Sequence, residues 1–305
     1  MTSTDERTLQ QQTSQAQFRS LLQYAGVDVN EEVMKIIVKH YASSVVLVDS
    51  AVQAKDIYIE AAMFPYSATQ AALEQLGISI GKRFRGPDPS KSVLLHAYEG
   101  GCPRILKVGA KSGIHHELAV WEALVAADDQ YQNAYITPLK RLEFKSTTIE
   151  VETMLGRRAG ILMRQYQGTL AQCKIPLKDE FLLRYGDPLK KAVTTLHRAG
   201  FCHLDIKPSS IFLFENECFL VDFGATVRTG EPIRERTVKY YPQDGAFEAR
   251  EETDMYLLAM TLLEMYGTIP PPPLREKSLT KKEILAAIRG EQNENVRNFL
   301  LSLLR

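Results

Sequence analysis

His203-Leu204-Asp205-Ile206-Lys207-Pro208-Ser209-Ser210, followed at a short distance by Phe219-Leu220-Val221-Asp222-Phe223-Gly224, decides how this chain is read. In the first stretch a carboxylate and an ammonium stand two residues apart. In the second, an apolar strand runs into a glycine-containing turn and delivers a carboxylate at its end. An acid in that place is suited to holding a divalent cation.

The surroundings of these stretches are ordered. Upstream, Ile78-Ser79-Ile80, Val93–Tyr98 and Arg104-Ile105-Leu106-Lys107-Val108 read as strands, with turns at Gly86-Pro-Asp-Pro and Gly100-Gly101. A helix is expected over Ser112–Ala126, where Val120, Trp121 and Leu124 follow Glu117 at offsets of three, four and seven and set a packing stripe beside its carboxylate. Further strands are expected at Tyr135–Phe144, Thr147–Val151 and Gly160–Gln165. Beyond Thr169 the chain turns mostly helical, including Thr253-Asp254-Met255-Tyr256-Leu257-Leu258-Ala259.

Taken in this order from Lys107 to Asp254, these motifs resemble those of the protein kinases, over residues 78–305. The resemblance implies an α+β, bilobal fold: a five-stranded antiparallel N-lobe (78–166) and a helical C-lobe (167–305). It implies ATP with Mg²⁺ or Mn²⁺ as cofactors and a protein serine or threonine as acceptor. Such a reaction needs the triphosphate held, its charge neutralised and the hydroxyl aligned. By the same resemblance Asp205 orients the hydroxyl and Lys207 steadies the transferred phosphoryl. Lys107, ion-paired to Glu117, holds phosphates. Gly81, Gly86, Ile105, Met163 and Gln165 line the nucleotide, Asp222 and Ser210 hold metal, and Asp254 supports the catalytic loop from a helix. All of these are expected to converge on one nucleotide cleft.

The departures matter as much. Ser210 stands where the family has an asparagine that ligates metal. Ile105 replaces a small residue over the adenine. Gly81-Lys82-Arg83-Phe84-Arg85-Gly86 keeps only the outer glycines of the phosphate-covering loop, and a side chain at Arg83 hinders close backbone approach. Leu204 replaces the arginine that senses activation-loop phosphorylation. Thr237-x-x-Tyr240 resembles the substrate-facing end of that segment, yet Tyr241-Pro242-Gln243 lacks the usual Ala-Pro-Glu. The helical lobe is also short, ending soon after Asn298. Two readings stay open: an active kinase, and a pseudokinase scaffold that recruits a partner.

Ahead of these motifs, residues 1–13 read as a disordered polar tail and 14–77 as a helical module. Ser14-x-x-Gln17 has capping-box form before Phe18, Leu21 and Leu22, and Gly26 closes that helix. Asn30 caps a second, whose stripe of Val33, Ile36, Ile37, Tyr41, Val45, Val48, Ala51, Ala54 and Tyr58 predicts one long helix. Ser67-x-x-Gln70 opens a third, ended by Gly77. Short, long, short, with Asp49-x-Ala51 in the long helix, is similar to histone-fold subunits of the transcription machinery. That resemblance implies a histone-fold or other helical partner. The alternative is a helical extension packed on the neighbouring domain.

Composition sets outer limits. The 305 residues carry 37 basic and 37 acidic side chains, so no net field draws the chain to nucleic acid or membrane. No apolar run approaches the ~20 residues of a membrane span, and the polar, acid-containing N-terminus resembles no targeting signal. Cys102, Cys173, Cys202 and Cys218 form no C-x-x-C pair, which argues against zinc and reads as small core residues in a reducing interior, cytoplasmic or nuclear. His115 and His116 read as polar helix-surface residues.

Overall fold

The computed structural model describes residues 3–40, 45, 48, 50–62, 65, 67–83, 92–131, 149–153, 155–172, 182–214, 217–243, 245, 247–271 and 278–304. The chain divides into two compact units, Met1–Ile114 with Thr147–Gln165, and His115–Ser146 with Tyr166–Arg305.

The first unit opens with helices Ser3–Tyr24, Glu31–His40, Ala51–Ala62 and Ser67–Gln75. The first helix starts well before Ser14, so residues 3–13 are helical where a disordered tail was expected. Their Glu, Arg, Leu and Gln favour helix, and extending a formed helix costs little. Gly26, at φ 68°, ends it, with the Val27 N–H on the Leu22 carbonyl (3.0 Å). Asn30 caps the second helix, its Oδ1 accepting from the Glu32 N–H at 2.8 Å.

The single long helix predicted from the stripe is absent. Val48 is not helical. Ser50 opens a new helix: its Oγ accepts from the Gln53 N–H (3.3 Å) and its carbonyl from the Ala54 N–H (3.0 Å). The β-branched Val48 fits a helix poorly, and Ser50 supplies a capping side chain just ahead of Ala51. This break leaves the histone-fold resemblance, and the partner it implied, without support from the described residues. The helices instead extend the sheet's core: Ile36, Ile59 and Leu73 join a cluster with Val93, Leu95, Leu106, Val108 and Leu162.

That sheet has five antiparallel strands, β1 Ile78–Arg83, β2 Ser92–Glu99, β3 Cys102–Gly109, β4 Ile149–Thr153 and β5 Gly156–Arg164, in spatial order β1-β2-β3-β5-β4. The strand expected at Tyr135–Phe144 lies outside the described residues. On the central strands Lys107 stands opposite Leu94 and Ile161, and Ile105 opposite His96 and Met163. The β1–β2 register slips between Ile80 and Arg83. Gly81 sits in this bulge, where a Cβ would come within 3.3 Å of the His96 Cβ, so a close backbone approach is what its missing side chain permits. Gly86 lies outside the described residues. Cys102 starts β3 beyond the Gly100-Gly101 turn and is exposed, not a core residue, whereas Cys202 and Cys218 are buried. Cys173 is outside the described residues.

The helix expected over Ser112–Ala126 runs from Lys111 to Tyr131 and crosses from one unit to the other. Its Val120 and Leu124 are buried and Trp121 half-buried. The second unit continues with helices Asp187–Arg198, Glu251–Met265, Lys281–Gly290 and Glu294–Leu303. Between them lie short strands β6 Gly168–Thr169, β7 Phe201–Cys202, β8 Ile211–Phe214, β9 Glu217–Leu220 and β10 Val227–Arg228, paired as β6-β8-β9 and β7-β10. The Glu251–Met265 helix is apolar on nearly every face from Tyr256 to Leu263, the pattern of a helix enclosed by its neighbours. It shares one cluster with Leu189, Val193, Ile206, Ile284 and Leu300, so the loop after β7 rests on a helix buried along most of its length.

Candidate active site

The loop from His203 to Ser210 owes its shape to one buried acid. Asp254 has no exposed surface; its Oδ2 accepts from the His203 N–H and its Oδ1 from the Leu204 N–H, both at 2.7 Å. His197 Nε2 lies 2.9 Å from the same Oδ2. Buried backbone donors in a tight loop need such an acceptor.

His203 carries the connection onward. The Asp205 N–H donates to its Nδ1 (3.3 Å), which leaves the ring proton on Nε2 to donate to the Val221 carbonyl at 3.1 Å. The ring meets Phe223 edge-on, with centroids 5.7 Å apart. One imidazole thus couples the Asp205 loop to the Asp222-Phe223-Gly224 turn. Among the described residues only Leu204 (φ 63°) and Asp222 (φ 70°) combine a positive φ with a side chain, and they fall one in each loop. Strain of this kind persists where the surroundings over-determine it and clusters at functional sites.

Asp205, Lys207 and Thr237 close a triangle. The Lys207 Nζ donates to Asp205 Oδ2 (2.7 Å) and to Thr237 Oγ1 (2.9 Å), and the Thr237 hydroxyl donates to Asp205 Oδ1 at 2.5 Å. The Asp205 and Lys207 side chains are each 15% exposed, sheltered enough to hold their geometry and open enough to meet a substrate. The group can present a carboxylate to a hydroxyl and a cation to an anion in one place. Asp222, half-buried in its left-handed turn, offers a carboxylate suited to a hard divalent cation.

Ser210 behaves differently. Its Oγ–H donates to the Asp205 carbonyl (2.8 Å), its own carbonyl accepts from the Val221 N–H (2.9 Å), and the residue has no exposed surface. It ties the loop shut. His116 is also more than a surface residue: half-buried, its Nε2 lies 2.7 Å from the Thr226 carbonyl, just past the Asp222 turn. Nothing in the local sequence distinguishes it from His115, which is exposed.

In the sheet unit Lys107 is the one buried lysine or arginine among the described residues, at 8% exposure. Buried cations are rare and partnered. Ile105 and Met163 are buried beside it on paired strands, and Gln165 is half-buried just past β5. Glu117, in the other unit, is 2% exposed.

His197, Cys202 and Asp254 gather three ligand atoms within 4.8 Å of one another. Burial pushes the Cys202 thiol up to about 12, so it keeps its proton at neutral pH, and Asp254 already serves two backbone donors. The cluster reads as a structural support.

Comparisons with known proteins agree with this architecture. The Wee1-like protein kinase of Arabidopsis thaliana is 32% identical over 100 residues, 31% of this chain and 20% of that protein. An Aurora kinase of Candida glabrata is 26% identical over 117 residues, 36% of this chain and 33% of that protein.

The chain is a distant relative of the protein kinases.

A solved structure of vaccinia related kinase 3 matches 82% of this chain and 89% of its own with a TM-score of 0.54, at 13% identity. That likeness shows a kinase-like fold. The chain thus spans well under two thirds of the curated relatives it matches, and no family model matches it. No helix among the described residues is long and apolar enough to cross a membrane.

Proposed function

We propose that this chain binds ATP and transfers its γ-phosphoryl group to a serine or threonine hydroxyl of a protein. The observation that carries the reading is the Asp205–Lys207–Thr237 triangle beside the Asp222 turn. Phosphoryl transfer asks a protein for positioning and charge rather than covalent chemistry. Asp205 would orient the acceptor hydroxyl and take up its proton, Lys207 would offset charge on the moving group, and Thr237 holds both side chains in register. A divalent metal held by Asp222 would supply charge neutralisation for the phosphates. In the sheet unit Lys107 is the proposed phosphate partner, supported by Glu117, with Ile105, Met163 and Gln165 against the nucleotide. Ser210 is better assigned to loop closure than to metal, because its hydroxyl is committed and enclosed.

That commitment favours a second reading. With Asp222 the one metal-holding side chain left from the expected pair, and Ile105 fully buried where the family has a small residue, the chain could act as a scaffold that keeps the fold and transfers nothing. Thermal shift with ATP, with and without Mg²⁺ or Mn²⁺, reports binding through linkage. A radiolabel transfer assay on a mixed protein substrate, run on wild type and Asp205→Ala, reports the chemistry. The enzyme reading expects a metal-dependent shift and transfer reduced at least ~100-fold in the variant. A shift with equal residual transfer in both proteins would establish the scaffold.

A further inference from the structure

The helix Glu31–His40 turns different faces to different surroundings. Val33 and Ile37 are buried in the core of the helical module, and Ile36 packs against both that core and the cluster shared with the sheet. Another face is open. Met34 is 2% exposed and Val38, one turn on, 37%, so an apolar strip runs from the core out to the surface. Beside it Glu31, Lys35 and Lys39 follow one another at intervals of four, with Arg19 contributed by the Ser3–Tyr24 helix. These six side chains line an open groove of about 270 Å³.

The charges of the groove do not cancel. Arg19 and Glu31 neutralise each other through two bonds, 2.7 and 2.8 Å. Lys35 donates to Glu32 Oε1 (2.6 Å), but the two side chains are 72% and 62% exposed, and such a pair is exchanged at little cost. Lys39 is exposed and has no hydrogen bond or ion pair among the described residues. Two ammonium groups thus border an apolar strip, on a chain whose total charge is zero.

Size and charge narrow the occupant. Pockets for small ligands begin near ~300 Å³ and enclose most of the ligand, whereas this groove is smaller and open, with room for a few side chains. Polybasic sites for anionic lipid gather about 4–8 cations, more than the groove offers. What fits is a segment with apolar side chains for Met34 and Val38 and carboxylates for Lys35 and Lys39. The apolar and basic rows both follow the axis of one helix, so a second helix laid along it meets both at once. The Met34 thioether adapts to the side chain it receives.

We propose that this groove docks an acidic amphipathic helix of a partner protein. Its apolar row covers Met34 and Val38, and its Asp or Glu row pairs with Lys35 and Lys39, displacing Glu32 from Lys35. None of these residues is assigned to phosphoryl transfer, so the docking site stands whether or not the chain transfers phosphate.

The test selects displayed random peptides, about four helical turns long, on the full chain, with counter-selection on a Val38→Asp, Lys39→Glu double variant. Both side chains are exposed, and circular dichroism should show the variant folded. Should it fail to fold, Lys35→Glu with Lys39→Glu keeps the apolar strip and gives the same readout. Peptides preferring wild type are expected to carry Asp or Glu beside apolar residues at helical spacing. Fluorescence anisotropy with one such synthetic peptide should show binding at least ~10-fold weaker in the variant, and weaker in wild type as salt rises. A selection that yields no peptide preferring wild type, or yields basic ones, overturns the proposal, as does a selected peptide that binds both proteins within about twofold. Sedimentation of the chain alone and flotation with phosphatidylserine vesicles complete the test. Self-association or vesicle binding that the variant abolishes would give the groove to a second copy or to a lipid surface, and the proposal would fall.

Discussion

The 203–210 loop and the 31–62 stripe were both conspicuous in the sequence, and they fared differently. In the loop and its helical support, residue identity carries the structure: Asp254, His203, Asp205 and Ser210 each satisfy particular donors or acceptors. In the stripe, only apolarity at a period carries it, and apolarity is indifferent to a break in the backbone. Val33 and Ile37 are buried in one cluster with Ala54, and with Val48 between them, although they lie on two helices separated at Val48 and Ser50. Periodicity reports which face is buried, whereas a committed hydrogen bond reports where the chain turns.

This comparison predicts that single substitutions act most strongly in the loop. Asp254→Ala would strand the His203 and Leu204 N–H groups and His197 in an enclosed site. Removing one partner from a buried charged network costs about 3–5 kcal/mol. Urea unfolding should show the loss as a lowered midpoint at unchanged slope. A loss near that of an ordinary surface substitution would mean that Asp254 does not hold the loop.

Ser210→Ala comes next. It removes the donor to the Asp205 carbonyl, and an orphaned buried acceptor costs about 1–3 kcal/mol. The tie assigned to Ser210 expects that stability loss with an unaltered Mg²⁺ requirement for nucleotide binding. A metal ligand would give the opposite pattern, a weaker metal response at constant stability.

What could be read from the sequence follows the same division. The five-stranded sheet, the loop and the Asp222 turn were legible because motif residues sit in a fixed order and strand alternation is local. The Asp254 support was legible by its place in that order. The joint His203 contacts with Val221 and Phe223 were not, since they depend on two loops meeting in space. His116 gave no signal at all: a polar residue on a helix looks the same whether or not a carbonyl faces it. Gly81 matched a phosphate-loop glycine, yet its observed neighbour is His96 across a bulge. Ser50 did carry a signal, a capping residue ahead of Ala51, and the apolar stripe around it obscured the break.

In the stripe the expected effects are smaller. Ser50→Ala deletes the acceptor for the Gln53 N–H and should cost about 1 kcal/mol, the usual worth of an N-cap. The change is measurable as a shift of the thermal midpoint. A null result would mean that packing of Ala54 and its neighbours, rather than the cap, fixes where the Ala51–Ala62 helix begins.

The smallest effect belongs to the Arg19–Glu31 pair, which joins the Ser3–Tyr24 helix to the start of the Glu31–His40 helix with two bonds, 2.7 and 2.8 Å. The Arg19 hydrogen bond, opposed by partial desolvation and aided by its charge, holds the Glu31 carboxyl below the usual glutamate range. A carboxyl lowered in the folded state contributes stability that is complete above its unfolded value and disappears as pH falls through the folded one. Arg19→Met should therefore lower the thermal midpoint slightly at pH 7 and not at all in strong acid. Because both side chains are solvent-exposed, salt should shrink the pH 7 difference as well. If the difference between the two proteins survives in acid, the arginine acts through its methylenes against the helix surface and the charge is incidental. The stripe's ends would then be governed, like its middle, by apolar contact alone.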